Sequence, residues 1–498
     1  MTGAAPPEWG RHLPPGVDPA SVDLLARRSL PAAWAATWAE HPDALAVHDD
    51  HGWLTNAELD ARSRRVAGRF ARAGLQAGDR VVMSAATSVE LVVAHVAALR
   101  SGLVVVPVNG AYRGREIRHI VDDCAPASCV VDADRTDLFA EAVTAGCVVT
   151  TAAVDLPDGD APALDRATSD DVALLCYTSG TTGAPKGAML THGNALASCE
   201  ALRLAWRWTA ADRLVLALPL FHVHGLGVGL HGTLLCGASA VLLPRFDADA
   251  VLDAAFEHDA TLFFGVPTMY ARLAASERVA ELARLRLCVS GSAPLPSSLH
   301  DELDAIAGVR VLERYGMTET LMNVSNPYDG ERRAGTVGFP LPGVEVRLHR
   351  PSGEILLRGP NVFPGYWRRA EATREAFTDD GWFRSGDVGA HDPDGYLRIV
   401  GRAKELIISG GYNVYPREVE DVLLEHPAVA EVAVVGEPSD EWGETVVAVV
   451  VPATDARDPE ALLAHAAEHL APYKRPRRVR YVDALPRNAL GKVVRGEL

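Results

Sequence analysis

Apolar residues recur along most of this chain in two alternating rhythms. Segments with apolar positions three and four apart, such as Asn56–Ala73 and Ser88–Ser101, predict amphipathic helices. Short β-branched runs at Arg80–Met83, Val104–Pro107 and Cys129–Val131 predict strands. The alternation resumes beyond residue 190. Helices are predicted over 191–206, 225–236, 248–258, 268–276 and 296–306, and strands over 213–218, 240–243, 261–265, 285–290 and 309–313. Repeated strand–helix units of this length predict parallel sheets covered by helices. In such folds ligands bind beyond the carboxyl ends of the strands.

The pattern changes near residue 400. Asp394-Gly395 is a tight-turn signal, and Tyr396–Val400 reads as the returning strand of a hairpin. Beyond Arg402 a small α+β module is predicted. Pro416 opens a helix with Val419, Val422 and Leu423 on one face, strands follow at 432–435 and 445–451, and a last helix covers 459–470. Residues 1 to about 20, rich in Pro and Gly, read as a loosely held lead-in.

Composition narrows the picture. The formal charge of −17 excludes general attraction to nucleic acid or an anionic membrane, so an anionic substrate must be met by local cations. Seven cysteines form no CxxC and sit mostly in apolar surroundings, which predicts free thiols in a reducing compartment. There is no secretory leader pattern and no run of eighteen apolar residues. The expectation is a soluble, cytoplasmic protein.

The candidate chemistry begins at Tyr177-Thr-Ser-Gly-Thr-Thr-Gly-Ala-Pro-Lys-Gly-Ala-Met-Leu190. Between Thr178 and Gly187 lie three glycines, four hydroxyl side chains and one lysine. An apolar run, Val172 to Cys176, precedes it, and a helix is predicted from Thr191. A strand, a Gly- and hydroxyl-rich loop and a helix present backbone N–H groups to phosphate in many α/β proteins. A P-loop is excluded, because Lys186 precedes Gly187 where that motif needs Ser or Thr.

The stretch resembles the phosphate loop of the adenylate-forming superfamily, which includes acyl-CoA synthetases, luciferases and adenylation domains. Further signatures agree across more than three hundred residues. They are Arg314-Tyr-Gly-Met-Thr-Glu-Thr320, Ser385-Gly-Asp387, Gly-Arg402-Ala-Lys404-Glu and Pro486-Arg-Asn-Ala-Leu-Gly-Lys492. The resemblance implies an α/β fold, with a large N-terminal domain of mainly parallel sheets over residues 1–402. A small mobile α+β domain would cover 403–498. It further implies that Thr178, Ser179, Gly180, Thr181, Thr182, Gly183 and Lys186 hold the phosphates of ATP. Thr318 would contact the α-phosphate, and Glu319, with Thr181, would hold magnesium. Tyr315 would pack on adenine beside Ser292, Ala293, Pro294 and Glu313, and Asp387 and Arg402 would take the ribose. Lys492 is expected at the catalytic position, Lys404 at the hinge, and Ser409, Gly410 and Gly411 along a channel for CoA.

Pro219-Leu-Phe-His-Val-His-Gly225 resembles the family's gate over the acyl site, with His222 facing the carboxylate; an isolated HxH pair is a weak metal signal. Arg314 is the informative departure. Coumarate-CoA ligases and luciferases usually carry glycine there, at the border of the acyl pocket. A guanidinium would shorten that pocket and pair with a second carboxylate. The surrounding residues look like the malonyl-CoA synthetase branch. This implies malonate or methylmalonate as substrate, with Gly291, Val223 and Met317 near the acyl group. The alternatives are that Arg314 pairs with Glu313 or another acid outside the pocket, leaving Arg272 or Arg286 as weaker candidates. A fatty- or aryl-acyl-CoA ligase, or a stand-alone enzyme loading a carrier protein, also remains open. No carrier domain follows Lys492, and no obligatory protein partner is expected.

Overall fold

The computed structural model describes residues 8–178, 185–409, 412–439, 442–488 and 492–498. It is an α/β protein with a large N-terminal domain of helix-covered sheets and a smaller C-terminal one. The nine-stranded sheet centres on Leu45–Asp49, Ser239–Leu242, Arg213–Leu216, Leu262–Gly265, Leu287–Ser290 and Leu312–Met317, all paired in parallel. Antiparallel strands close both edges. The seven-stranded sheet has a parallel centre of Val148–Thr151, Ser128–Val131, Arg80–Ser84, Val104–Pro107 and Val172–Thr178. Lys186–Thr191 and then Gly365–Tyr366 add antiparallel to its edge.

These elements follow from local chemistry. Helix Asn56–Arg72 opens on a capping box in which Thr55 and Glu58 satisfy each other's backbone N–H groups. Ser88 caps Val89–Arg100, whose residues are all buried except Glu90, with most of its apolar side chains in the main core. Parallel strands buried on both faces read as continuous Val/Leu runs, as Val104–Val106 and Val130–Val131 do.

Three expectations change. Residues 186–191 form a strand, so the helix at His192–Ala205 is separated from the Gly/Thr loop. The helix expected over 225–236 is divided, with a wide π-type turn at His224–Leu230 before an α-helix at His231–Cys236. A third sheet was not anticipated beyond its last hairpin: Glu345–Leu348, Glu354–Arg358, Phe383–His391 and Leu397–Arg402, all antiparallel.

After the short turn Ala403–Glu405, a separate five-stranded sheet packs with helices Pro416–Leu424 and Pro459–His469 around its own core of Val419, Leu423, Val434, Val446 and Ala448. All seven cysteines are free, five of them buried. Among the described residues no helix is long and apolar enough to cross a membrane.

Candidate active site

The Gly/Thr loop closes a hairpin. Thr178 and Lys186 are register partners on adjacent antiparallel strands, so both feet of the loop are fixed at the sheet edge. One helix, Gly114–Cys124, holds both sides: the Tyr177 hydroxyl donates to Asp123 at 2.7 Å, and His119 Nε2 donates to the Pro185 carbonyl at 2.9 Å. Arg369 pairs with the same Asp123 at 2.7 Å. The expected phosphate ligands Ser179, Gly180, Thr181, Thr182 and Gly183 lie outside the described residues, as do Gly410 and Gly411.

Strand Gly365–Tyr366 adds to this hairpin and brings Tyr366 to the centre of the site. Its hydroxyl donates to Glu319 Oε1 at 2.9 Å, and the Lys186 ammonium lies 5.4 Å from its ring centroid. Glu319 sits in the turn between Leu312–Met317 and Leu321–Ser325, and it is buried. That turn depends on Gly316, where a Cβ would come within 2.1 Å of the Leu321 carbonyl. Burial raises the Glu319 carboxyl above its ordinary range, against its own backbone N–H, the Tyr366 hydrogen bond and the Arg402 charge, which lower it. A buried carboxylate with one oxygen held suits a small hard cation that shares its remaining ligands with phosphates and water.

The third sheet supplies the next pair. Asp387 and Arg402 are register partners across the last hairpin, and Arg402 Nε meets Asp387 Oδ1 at 3.0 Å. Tyr315 reaches the same carboxylate, its hydroxyl 2.6 Å from Oδ2. Lys492 completes the group. Its ammonium is held below the ordinary lysine range by burial and by the charges of Arg402 and Arg314, partly offset by Asp387 and Glu319. The tail that carries it is pinned: Lys492 N–H donates to Asn488 Oδ1 at 3.0 Å, and Arg495 bonds Glu405 and Glu420. Residues more than three hundred positions apart therefore converge, and cations gather locally on an acidic chain.

Beside them lies a cavity of about 160 Å³ lined by Leu218, His222, His224, Phe246, Met269, Arg272 and Ser292, among others. His222 Nδ1 accepts the His224 backbone N–H at 3.2 Å, which leaves the neutral ring's proton on Nε2. Burial, with Lys492 and Arg314 nearby, pushes this imidazole down to about 3, so it is neutral at physiological pH. His224 Nδ1 lies 3.3 Å from the Ser292 hydroxyl.

Arg314 is buried at 4% exposure, and its Nε and Nη2 have no hydrogen-bond partner among the described residues. Burial alone pulls the guanidinium down to about 9. It lies flat against Gly291, where a Cβ would fall 2.3 Å from Cζ. The alternative of a pair with Glu313 is not realised. Successive residues of a strand face opposite sides, and Glu313 turns toward Leu295 and the Arg417 charge of the small domain, with burial raising its carboxyl to about 8. Arg286 is excluded from the acyl site by its contacts with Asp212 at 2.6 Å, whereas Arg272 stands at the cavity wall.

Other expected residues sit less directly. Val223 is part of the main core rather than the cavity wall, and Met317 is half-buried beside the Tyr315 hydroxyl. Ser292 lines the cavity with φ 68°, Ala293 is half-buried and Pro294 is exposed. Thr318 is half-buried next to Glu319. Ser409 is buried opposite Gly443, and Lys404 lies in the connecting turn. Sequence reasoning missed Tyr366, Asp123, His119 and His224. Only His224 carried a local signal, as the second histidine of HxH.

This fold and this constellation define an adenylate-forming enzyme. The chain belongs to the AMP-binding enzyme family, whose model matches residues 34–367, with the AMP-binding enzyme C-terminal domain over 418–492. It is an AMP-forming acyl-CoA synthetase. It is 40% identical over 475 residues to a feruloyl-CoA synthase of Amycolatopsis, covering 92% of this chain and 96% of the relative. ATP-bound MatB from Rhodopseudomonas palustris is 41% identical and superposes with a TM-score of 0.88, covering 94% and 98% of the two chains. A malonyl-CoA ligase with methylmalonyl-CoA and AMP bound is 46% identical, with a TM-score of 0.65 and coverage of 89% and 97%.

Proposed function

We propose that this chain is a malonyl-CoA synthetase that also accepts methylmalonate, converting the acid, ATP and CoA to the thioester, AMP and pyrophosphate. The observation that carries the reading is Arg314, a buried guanidinium with two nitrogens unpaired among the described residues, whose charge is felt by His222 and His224 on the wall of an acyl-sized cavity. Leaving such a charge unpaired is costly, on the order of several kcal/mol. A short acid with a second carboxylate would neutralise it bidentately. A feruloyl group offers no such anion, so similarity to a feruloyl-CoA synthase does not decide the substrate.

In the first step a carboxylate oxygen of the acid attacks the α-phosphorus of ATP and pyrophosphate leaves. The neutral His222 Nε2–H donates to the reacting carboxylate and fixes its direction. Lys186 and Lys492 stabilise charge on the phosphates, and Asp387 with Arg402 holds the ribose. Glu319 would hold the Mg²⁺ that accompanies ATP, which when bound screens the phosphates and withdraws charge from the departing pyrophosphate. In the second step the CoA sulfur attacks the acyl carbonyl carbon, AMP leaves with the bonding electrons, and the thiol proton is released.

Lys492 occupies the site in this arrangement and would obstruct the thiol. The small domain, from 403 onward, would therefore turn about Lys404 between steps and bring Ser409, Gly410 and Gly411 to the CoA channel. The lower superposition with the more identical product complex, 0.65 against 0.88, supports two domain orientations. Free buried thiols fit a reducing cytoplasm. The test is AMP release with CoA across malonate, methylmalonate, acetate, benzoate and ferulate. Malonate should exceed the monocarboxylates by at least tenfold in kcat/KM; preference for ferulate or benzoate would sink the reading.

A further inference from the structure

Tyr366 touches two groups of opposite charge that the nucleotide reading places on the same triphosphate. Its hydroxyl donates to Glu319 Oε1 at 2.9 Å, and its ring lies under the Lys186 ammonium at 5.4 Å. The side chain is rigidly mounted. Its backbone pairs with Ala188, two residues past Lys186, and its own N–H donates to Thr373 at 2.9 Å. Trp367 N–H donates to the Gly187 carbonyl at 2.8 Å, and Phe363 packs edge-on against the Tyr366 ring at 4.9 Å. Phe363 N–H in turn bonds the Glu319 carbonyl at 2.9 Å, so the Tyr366 segment grips both the backbone and the side chain of Glu319.

A phenol that donates to one carboxylate oxygen removes that oxygen's rotational freedom and leaves the other as the acceptor for a cation. Among the described residues no other side chain hydrogen-bonds the Glu319 carboxylate, which otherwise meets only its own backbone N–H. We propose that Tyr366 is a positioning residue for adenylation, its hydroxyl orienting Glu319 for a divalent cation and its ring seating Lys186 for phosphate. The inference rests on the proposed nucleotide chemistry.

The experiment measures equilibrium ATP binding to the full-length protein by calorimetry, once with excess Mn²⁺ and once with EDTA, for wild type, Tyr366→Phe and Tyr366→Leu. Tyr366→Phe keeps the ring and loses only the hydroxyl. It should weaken Mn²⁺-dependent ATP binding about tenfold or more while leaving metal-free binding within twofold. Tyr366→Leu should weaken metal-free binding as well, by several-fold, through loss of the Lys186 seat. Unchanged Mn²⁺-dependent affinity in Tyr366→Phe, or an equal loss with and without metal, would overturn the proposal. Wild-type protein whose ATP affinity ignores Mn²⁺ would instead overturn the underlying nucleotide–metal reading, and the proposal with it.

Discussion

The Tyr315 hydroxyl donates to Asp387 Oδ2 at 2.6 Å while Arg402 engages the other oxygen at 3.0 Å, so the carboxylate expected to receive the ribose is already oriented from both sides. Each carboxylate oxygen has a second acceptor site, and those remain for two hydroxyls. Asp387→Asn should raise the Kd for AMP roughly 10–100-fold, the cost of losing charged hydrogen bonds. Tyr315→Phe, which keeps the ring, should cost less than about tenfold. Titration calorimetry with AMP checks both; equal effects would mean that Tyr315 acts only through Asp387.

Lys492 lies in the field of Asp387, Glu319, Arg314 and Arg402. Lys492→Ala should reduce ATP–pyrophosphate exchange by about 10²-fold or more, as for loss of a group that meets developing charge. Thioester formation from supplied malonyl-adenylate should stay near wild type. Similar loss in both half-reactions would assign Lys492 a general structural role.

Arg314 makes binding and stability oppose each other. Replacing it with Met removes an unpaired buried charge at similar length, and the free protein should gain ~1–3 kcal/mol. Malonate at a hundred times its Kd should stabilise wild type by ~2.7 kcal/mol and leave Arg314→Met unaffected. Urea denaturation with and without malonate reads both effects. A variant less stable than wild type would show that Arg314 has a partner.

Acid should weaken the fold through its buried imidazoles. His95 and His231 meet Nε2 to Nε2 at 2.7 Å inside the main domain. Burial pushes His95 down to about 3, and His12 and His192 to about 4. Unfolded histidine binds a proton near pH 6.5, so the unfolded chain takes up more protons as pH falls from there toward 4, and stability falls with it. The raised carboxyls of Glu313, Glu319 and Asp421 act oppositely over part of this window, but they are fewer than the depressed histidines. The slope is ~1.4 kcal/mol per pH unit per proton. His95→Gln should lower the slope between pH 4.5 and 6.5 by up to one proton, as measured by urea denaturation across that range; an unchanged slope would remove His95 from the cause.

The parallel sheets were legible because strands buried on both faces announce themselves as continuous β-branched runs, and their helices alternate in the expected period. The candidate site was legible wherever a signature spans several residues, as around Arg314–Thr320. The third sheet was not, since Glu345–Leu348 alternates with exposed residues and Glu354–Arg358 offers only three apolar residues between two charges, too short a run to mark a strand. Tyr366 was invisible for a different reason: a two-residue strand is too short to have a pattern, and its importance comes from Glu319, forty-seven positions away. The strand at 186–191 was hidden because its first residues complete the Gly-rich motif, and composition there argued for a loop.

The pairing of Thr178 with Lys186 has an evolutionary reading. Because both ends of the segment between them are locked to neighbouring strands, residues can be exchanged, added or lost there without moving the sheet register on either side. The sheet edge on either side would then keep its place whatever partner that segment is selected to meet.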